Sequence, residues 1–233
     1  MLYDLMICTG KSTIIFDIGG TLIDGKKSSI KARFYALEKV YGDKIPAKIS
    51  NRKLKESIGR SWDIVLKKCG IPACEIKALE NYCIEGKQKF ACLDKLAKGA
   101  RKMLETFKAQ GKTICLATSK HRLLTEMSLA QFGIAKYFDV IVCKDDENFN
   151  SKSEIIAAVV QKLGIPAENC LAFGNMSEDV QGASCNGITF VRSEQSNYGD
   201  ILIQKVKNYI QNSINFVKNI LTSPLKYKLD GFS

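Results

Sequence analysis

The chain has 233 residues, 45% of them hydrophobic and 25% charged, which suits one or two globular domains with a real core and excludes fibrous and disordered polymers. Its net charge of +11 does not point to nucleic acid, because the lysines are spread along the chain with no stripe of interleaved basic and aromatic residues; a lysine-rich solvated surface that attracts small anions is expected instead. Short apolar runs broken by charges, and an N-terminal Met1-Leu2-Tyr3-Asp4 with no basic region before an apolar stretch, argue against a membrane span or a secretory leader and for the cytoplasm.

Taken in order, the first element is the apolar run Ile14-Ile15-Phe16, which ends in the lone carboxylate of Asp17 and passes at once into Ile18-Gly19-Gly20-Thr21-Leu22. Such a run reads as a strand covered on both faces that delivers Asp17 to a tight turn, where the glycines let backbone approach a ligand closely. A carboxylate there is costly to desolvate unless it faces a cation or does chemistry. From about residue 26 to 92 strand character disappears, and Leu54, Ile58, Trp62 and Leu66 recur at helical spacing, which predicts an all-helical insertion.

After Gly99 the text alternates. A helix through Met103, Leu104 and Phe107 leads to the strand 113–117, a helix through Leu123 and Phe132 to the strand 138–142, a helix 153–163 to the strand 170–173, and a further helix to the strand 188–191. Alternation of this kind predicts an α/β fold, a Rossmann-like doubly wound parallel sheet with the helical segment inserted as a cap. The expected domains are a core of residues 1–24 and 95–233 and a cap of residues 25–94. The tail from Ile201 carries an apolar stripe beside Lys205, Lys207 and Lys218; packing against the helical layer is the commoner fate of such a stripe, and contact with anionic lipid is the alternative.

The important strands end in polar residues: Asp17, then Thr118 and Ser119, then Asn175 and Asp179, with Lys152 opening the intervening helix. An anionic nucleophile, a hydroxyl and a cation converging on one sheet edge are the parts needed to move a phosphoryl group. Taken alone, Lys152 would read as a surface lysine and Thr118 as a strand-end hydroxyl. Nine cysteines with no C-x-x-C pair and a single histidine fit reduced, mostly buried thiols rather than zinc, and leave no second histidine for a hydrolytic triad. Gly10-Lys11-Ser12-Thr13 imitates a P-loop but lacks the earlier glycine, Leu5 standing there, and precedes a strand instead of following one. His121 reads as an exposed residue at a helix start.

The strings FDIGGTLID, LATSK, NSKSEII and AFGNMSEDVQGASCNGI, in that order, resemble the four motifs of the haloacid dehalogenase superfamily, in its phosphoglycolate phosphatase and 5'-nucleotidase-like branch with a helical cap. The resemblance implies that Asp17 attacks phosphorus to form an aspartyl-phosphate, that Thr118 holds a phosphoryl oxygen, and that Lys152 neutralises the phosphate and keeps Asp17 ionised. It implies magnesium between Asp17, the carbonyl of Gly19 and the last motif, Asn175 and Asp179. Gly20, Ser119 and, on the cap, Arg60 are the expected contacts to the substrate, a small phosphorylated metabolite of phosphoglycolate or nucleotide type.

Two positions depart from the family pattern. Gly19 stands where most family phosphatases carry a general acid, a loss that costs about 10²–10⁴ in rate and least with good leaving groups. Asn175 replaces the first aspartate of the last motif, so metal affinity should fall, with Glu178 a stand-in. The alternative to a phosphatase with a weakened acid/base and metal site is therefore a catalytically impaired member that binds a phosphorylated ligand or partner. The sequence does not indicate an oligomeric state.

Overall fold

The computed structural model describes residues 11–50, 52, 54, 58 and 62–193. The expected contact Arg60 and the tail from Ile201 lie outside the described residues.

Five parallel strands form the main sheet: β1 (Thr13–Phe16), β4 (Thr113–Thr118), β5 (Val140–Cys143), β6 (Cys170–Gly174) and β7 (Thr189–Arg192), in the order β5-β4-β1-β6-β7. Strand β1 is central and buried along its whole length, as a strand covered on both faces must be. Because successive side chains point to opposite faces, Ile14 and Phe16 join one core with Leu104, Phe107, Leu116 and Phe173, while Ile15 joins the other with Ala117, Ile156, Val159 and Ala172. The first core carries helices α4 (Ala100–Ala109) and α5 (Arg122–Gln131), the second α6 (Lys152–Leu163) and α7 (Ser177–Cys185). The α/β doubly wound sheet is thus as expected. Strand order reverses beside β1, and ligands bind outside the carboxyl ends of strands at such a switch point.

Between β2 (Ile23–Asp24) and β3 (Lys95–Leu96), which pair antiparallel, the chain is helical: α1 (Lys26–Tyr41), α2 (Trp62–Lys68) and α3 (Ala73–Lys89). Their own core holds Ala36, Leu37, Leu54, Trp62, Leu66 and Leu79. Helices α1 and α3 approach so closely that a Cβ on Gly86 would stand 2.8 Å from the Ala32 Cα. The Leu54, Ile58, Trp62, Leu66 stripe is not one helix, since Ile58 sits in a turn and only half-buried; the spacing survives because Leu54 reaches the same core from a separate segment.

The cysteines also depart from expectation. Of those described, only Cys115, Cys143 and Cys170 are buried, and Cys74, Cys92 and Cys185 are exposed; all are free thiols. The buried three are strand residues inside the sheet, whereas the exposed three lie on outward faces of helical turns. Among the described residues no helix is long and apolar enough to cross a membrane.

Candidate active site

Strand β1 pairs with β4 and β6 so that Phe16 is level with Leu116 and Phe173. Asp17, Thr118 and Asn175 therefore stand together at the carboxyl ends of three neighbouring strands. The Asp17 N–H extends the ladder to the carbonyl of Phe173 at 2.9 Å. Beyond it the chain folds back tightly: the amides of Leu22 and Ile23 donate to the carbonyl of Ile18 at 3.0 and 2.9 Å, and the Gly20 N–H to the carbonyl of Ile23 at 2.8 Å. Gly20 has φ +79°, which explains a glycine there. Its amide is thus committed to the turn, and Gly20 contributes shape rather than a donor for substrate.

Lys152 is the first residue of α6, whose start is fixed by Ser151: its hydroxyl accepts the Glu154 N–H at 3.2 Å, and the Glu154 carboxylate accepts the Asn150 N–H at 2.8 Å. The Lys152 Nζ lies 2.6 Å from Asp17 Oδ1 and 2.9 Å from Asp179 Oδ1. All three side chains are buried, so the surface reading of Lys152 is overturned. The other oxygen of Asp179 accepts the N–H groups of Asn175 and Met176, both at 3.0 Å. This requires Gly174, where a Cβ would fall 2.5 Å from the Asp179 carboxyl.

Burial is the largest influence on Asp17 and pushes its carboxyl above the ordinary 3.8; the negative Asp179 adds to the rise, and Lys152 pulls it back without cancelling it. Lys152 thus acts on Asp17 in the direction that favours the carboxylate. Burial works equally against the Lys152 ammonium, but two carboxylates outweigh it and raise its pKa. A cavity of about 10 Å³ beside the pair is lined by Ile15, Phe16, Ala117, Ile156, Ala172 and Phe173 among others; it holds at most about one water, so little solvent screens the ions from below. Thr118, 2% exposed, accepts the Lys120 N–H on its Oγ1 at 3.1 Å, which leaves its hydroxyl proton for a ligand.

A family model described as haloacid dehalogenase-like hydrolase matches residues 14–193. The chain belongs to that family. Pyrophosphatase PpaX of Halalkalibacterium halodurans is 28% identical over 76% of this chain and 80% of its own length. A phosphorylated carbohydrates phosphatase of Thermotoga maritima is 29% identical over 75% of this chain and 81% of its own. The structure of a haloacid dehalogenase-like family hydrolase from Streptococcus pneumoniae superposes with a TM-score of 0.69 at 19% identity, covering 83% of this chain and 90% of that one, a likeness of fold.

The donor set tests whether this haloacid dehalogenase-like site fits a magnesium ion. Both Asp179 oxygens are engaged, one by Lys152 and the other by two amides. The remaining oxygens are the second one of Asp17, the Gly19 carbonyl and the side-chain oxygen of Asn175, which accepts the Thr21 hydroxyl at 3.4 Å. One carboxylate and two neutral oxygens suit magnesium completed by waters and a substrate phosphate, and bind it less tightly than a second free carboxylate would. Among the described residues no three His, Cys, Asp or Glu side chains converge on one point.

Glu178, the expected stand-in, is exposed and accepts the Ser177 hydroxyl at 3.1 Å, whereas Asp17, Lys152 and Asp179 are buried. Ser119 follows Thr118 but is exposed. His121 is exposed, as expected of a helix start, and its Nδ1 pairs with Asp145 at 3.1 Å. Sequence reasoning missed Ser193, whose hydroxyl lies 3.3 Å from the fully buried Thr21 hydroxyl and donates to the Gly174 carbonyl at 3.0 Å. It ties the Asp17 loop to the end of β6, and nothing in its sequence context signals this. Lys120 was likewise passed over: it is half-buried, and burial together with repulsion from Lys87 lowers its ammonium to about 8 against the attraction of Asp94 and Asp17.

Proposed function

We propose that this chain is a phosphatase of small phosphorylated metabolites that works through an aspartyl-phosphate on Asp17. The observation that carries this reading is the buried Lys152 ammonium held between Asp17 and Asp179 beside the Thr118 hydroxyl. One Asp17 oxygen attacks phosphorus, Lys152 offsets the charge gathered there, Thr118 donates to a phosphoryl oxygen, and Asp179 fixes the Lys152 position. Asp17, the Gly19 carbonyl and Asn175 would hold magnesium, which when bound neutralises phosphoryl oxygens. Residues 25–94 act as a cap over the core of 1–24 and 95–233 and exclude water; the Lys144–Asp63 ion pair at 3.2 Å, joining the β5–α6 loop to α2, supports that placement. Relatives named for pyrophosphate and for phosphorylated carbohydrates support small phosphorylated substrates.

The test is turnover of phosphate esters, acyl phosphates and nucleotides by purified protein, with and without magnesium. Turnover that depends on magnesium and is lost in Asp17→Asn is expected; equal rates for the two proteins reject the proposal. A second reading, an impaired member that binds a phosphorylated ligand, is favoured by Gly19 and Asn175, which leave no acid at position 19 and one Asp17 oxygen as the charged donor for metal. It would show as a phosphorylated ligand raising the melting temperature without turnover.

A further inference from the structure

The strand-end site contains one ammonium that the chemistry above does not use. Lys120 leaves the turn after β4, its backbone N–H fixed to Thr118 Oγ1 at 3.1 Å, and among the described residues its Nζ reaches only the Ser128 hydroxyl, at 3.4 Å. That hydroxyl already donates to the Leu124 carbonyl at 2.7 Å. Among the described residues no carboxylate lies within ion-pair distance of Lys120, in contrast to the two that hold Lys152. Half-burying a cation with no counter-ion in contact is unfavourable, and the fields of Asp94 and then Asp17 act on this one against that of Lys87. An anionic group bound above Thr118 would supply the missing charge.

Position 19 gives the second, independent constraint. A Cβ built on Gly19 meets nothing within 4 Å, so there is open room beside Asp17 and no acid in it. Without a proton donor, departure of an alkoxide is slow, whereas a leaving group that is stable as an anion needs no proton.

Resting on the phosphatase reading, we propose that Lys120 binds the leaving phosphate of phosphoanhydride substrates, and that the enzyme acts on pyrophosphate-type bonds in preference to alkyl monoesters. Asp17 attacks one phosphorus and the bond from that phosphorus to the bridging oxygen breaks. The electron pair stays on the bridging oxygen, which leaves as inorganic phosphate paired with Lys120 and carrying the proton it already had. Water then attacks the aspartyl-phosphate, the phosphorus–Asp17 bond breaks, and both water protons end on the released phosphate, so neither half-reaction consumes a protein proton.

The experiment compares kcat/KM for inorganic pyrophosphate, acetyl phosphate and glycerol phosphate in wild type, Lys120→Met, Lys120→Arg and Asp17→Asn, all in magnesium. Acetyl phosphate has a good leaving group but no second phosphate, so it separates recognition by Lys120 from leaving-group quality. Wild type is expected to rank pyrophosphate first and glycerol phosphate last. Lys120→Met should lower the ratio of pyrophosphate to acetyl phosphate activity by about 30-fold, the scale for losing one partner of a charge pair that bound substrate covers, with partial recovery of that ratio in Lys120→Arg. An unchanged ratio in Lys120→Met, or a wild type that prefers glycerol phosphate, overturns the inference while leaving the phosphatase reading intact if Asp17→Asn is inactive. Wild-type rates no higher than those of Asp17→Asn on all three substrates overturn both.

Discussion

Among the described residues two lysines are buried, one at the strand ends and one at the base of the helical segment, and they respond to burial in opposite ways. Lys152 lies 2.6 and 2.9 Å from two carboxylates, and its pKa rises despite burial. Lys87, on α3, has the hydroxyls of Ser28 and Ser29 at 2.5 and 3.2 Å but its single carboxylate, Asp94, at 3.6 Å, and burial lowers its pKa. Ser28 also bonds Asp94 directly, so part of that carboxylate is satisfied by a neutral group. Hydroxyls satisfy the geometry of an ammonium without supplying charge; only close carboxylates outweigh desolvation. The first arrangement suits a site that must meet anionic substrate, the second a junction that must only hold its shape.

The largest effect is expected from Lys152→Met, which strands two buried carboxylates. It should cost about 3–5 kcal/mol in denaturant unfolding and abolish turnover; a loss near zero would mean that the pair is not desolvated. Next comes Gly19→Asp, which sharpens the contrast by adding the absent acid. Because the position is open, the variant should fold normally and gain about 10²-fold toward alkyl monoesters, read as kcat/KM; no gain would show that the acid's absence does not limit the rate.

Lys87→Met should cost less, about 1–2 kcal/mol, since Asp94 keeps its bond from Ser28. The two lysines should also separate in pH. A raised folded pKa makes the Lys152 contribution complete below the ordinary 10.5 and lost only as pH climbs through the higher folded value. A lowered folded pKa makes the Lys87 charge a penalty that fades as pH rises from its folded value toward 10.5. Unfolding of both variants between pH 7 and 10.5 should therefore give a cost that holds for Lys152→Met and changes for Lys87→Met; parallel curves would erase the distinction.

The smallest effect should come from Asp146, which accepts two Arg122 bonds at 2.7 and 2.5 Å and is held below the ordinary 3.8 chiefly by that guanidinium. Its contribution is present above pH 3.8 and lost as pH falls through the folded value. Asp146→Asn should cost below about 1 kcal/mol at pH 7 and progressively less in acid, measured by the same unfolding.

The sheet and Asp17 were legible because burial on both faces leaves uninterrupted apolar runs, and a carboxylate closing one has few neutral explanations. Lys152 and Asp179 were legible only through the order of four motifs, since a lysine at a helix start is by itself a surface residue. Strands β2 and β3 have two residues each, too few to show a period. The links from Ser193 to Thr21 and from Ser28 to Lys87 and Asp94 join residues far apart in sequence, so no local pattern encodes them. Gly20 was legible as a turn residue, but that its amide is used within the turn depends on where Ile23 returns.

The central claim is that Asp17 accepts the phosphoryl group. Acid quench of the protein during turnover of pyrophosphate in magnesium, followed by mass analysis of the peptide containing Asp17, tests it directly. The account expects one added phosphoryl group on that peptide in wild type and none in Asp17→Asn; turnover with the group absent from that peptide, or with Asp17→Asn equally active, would contradict it.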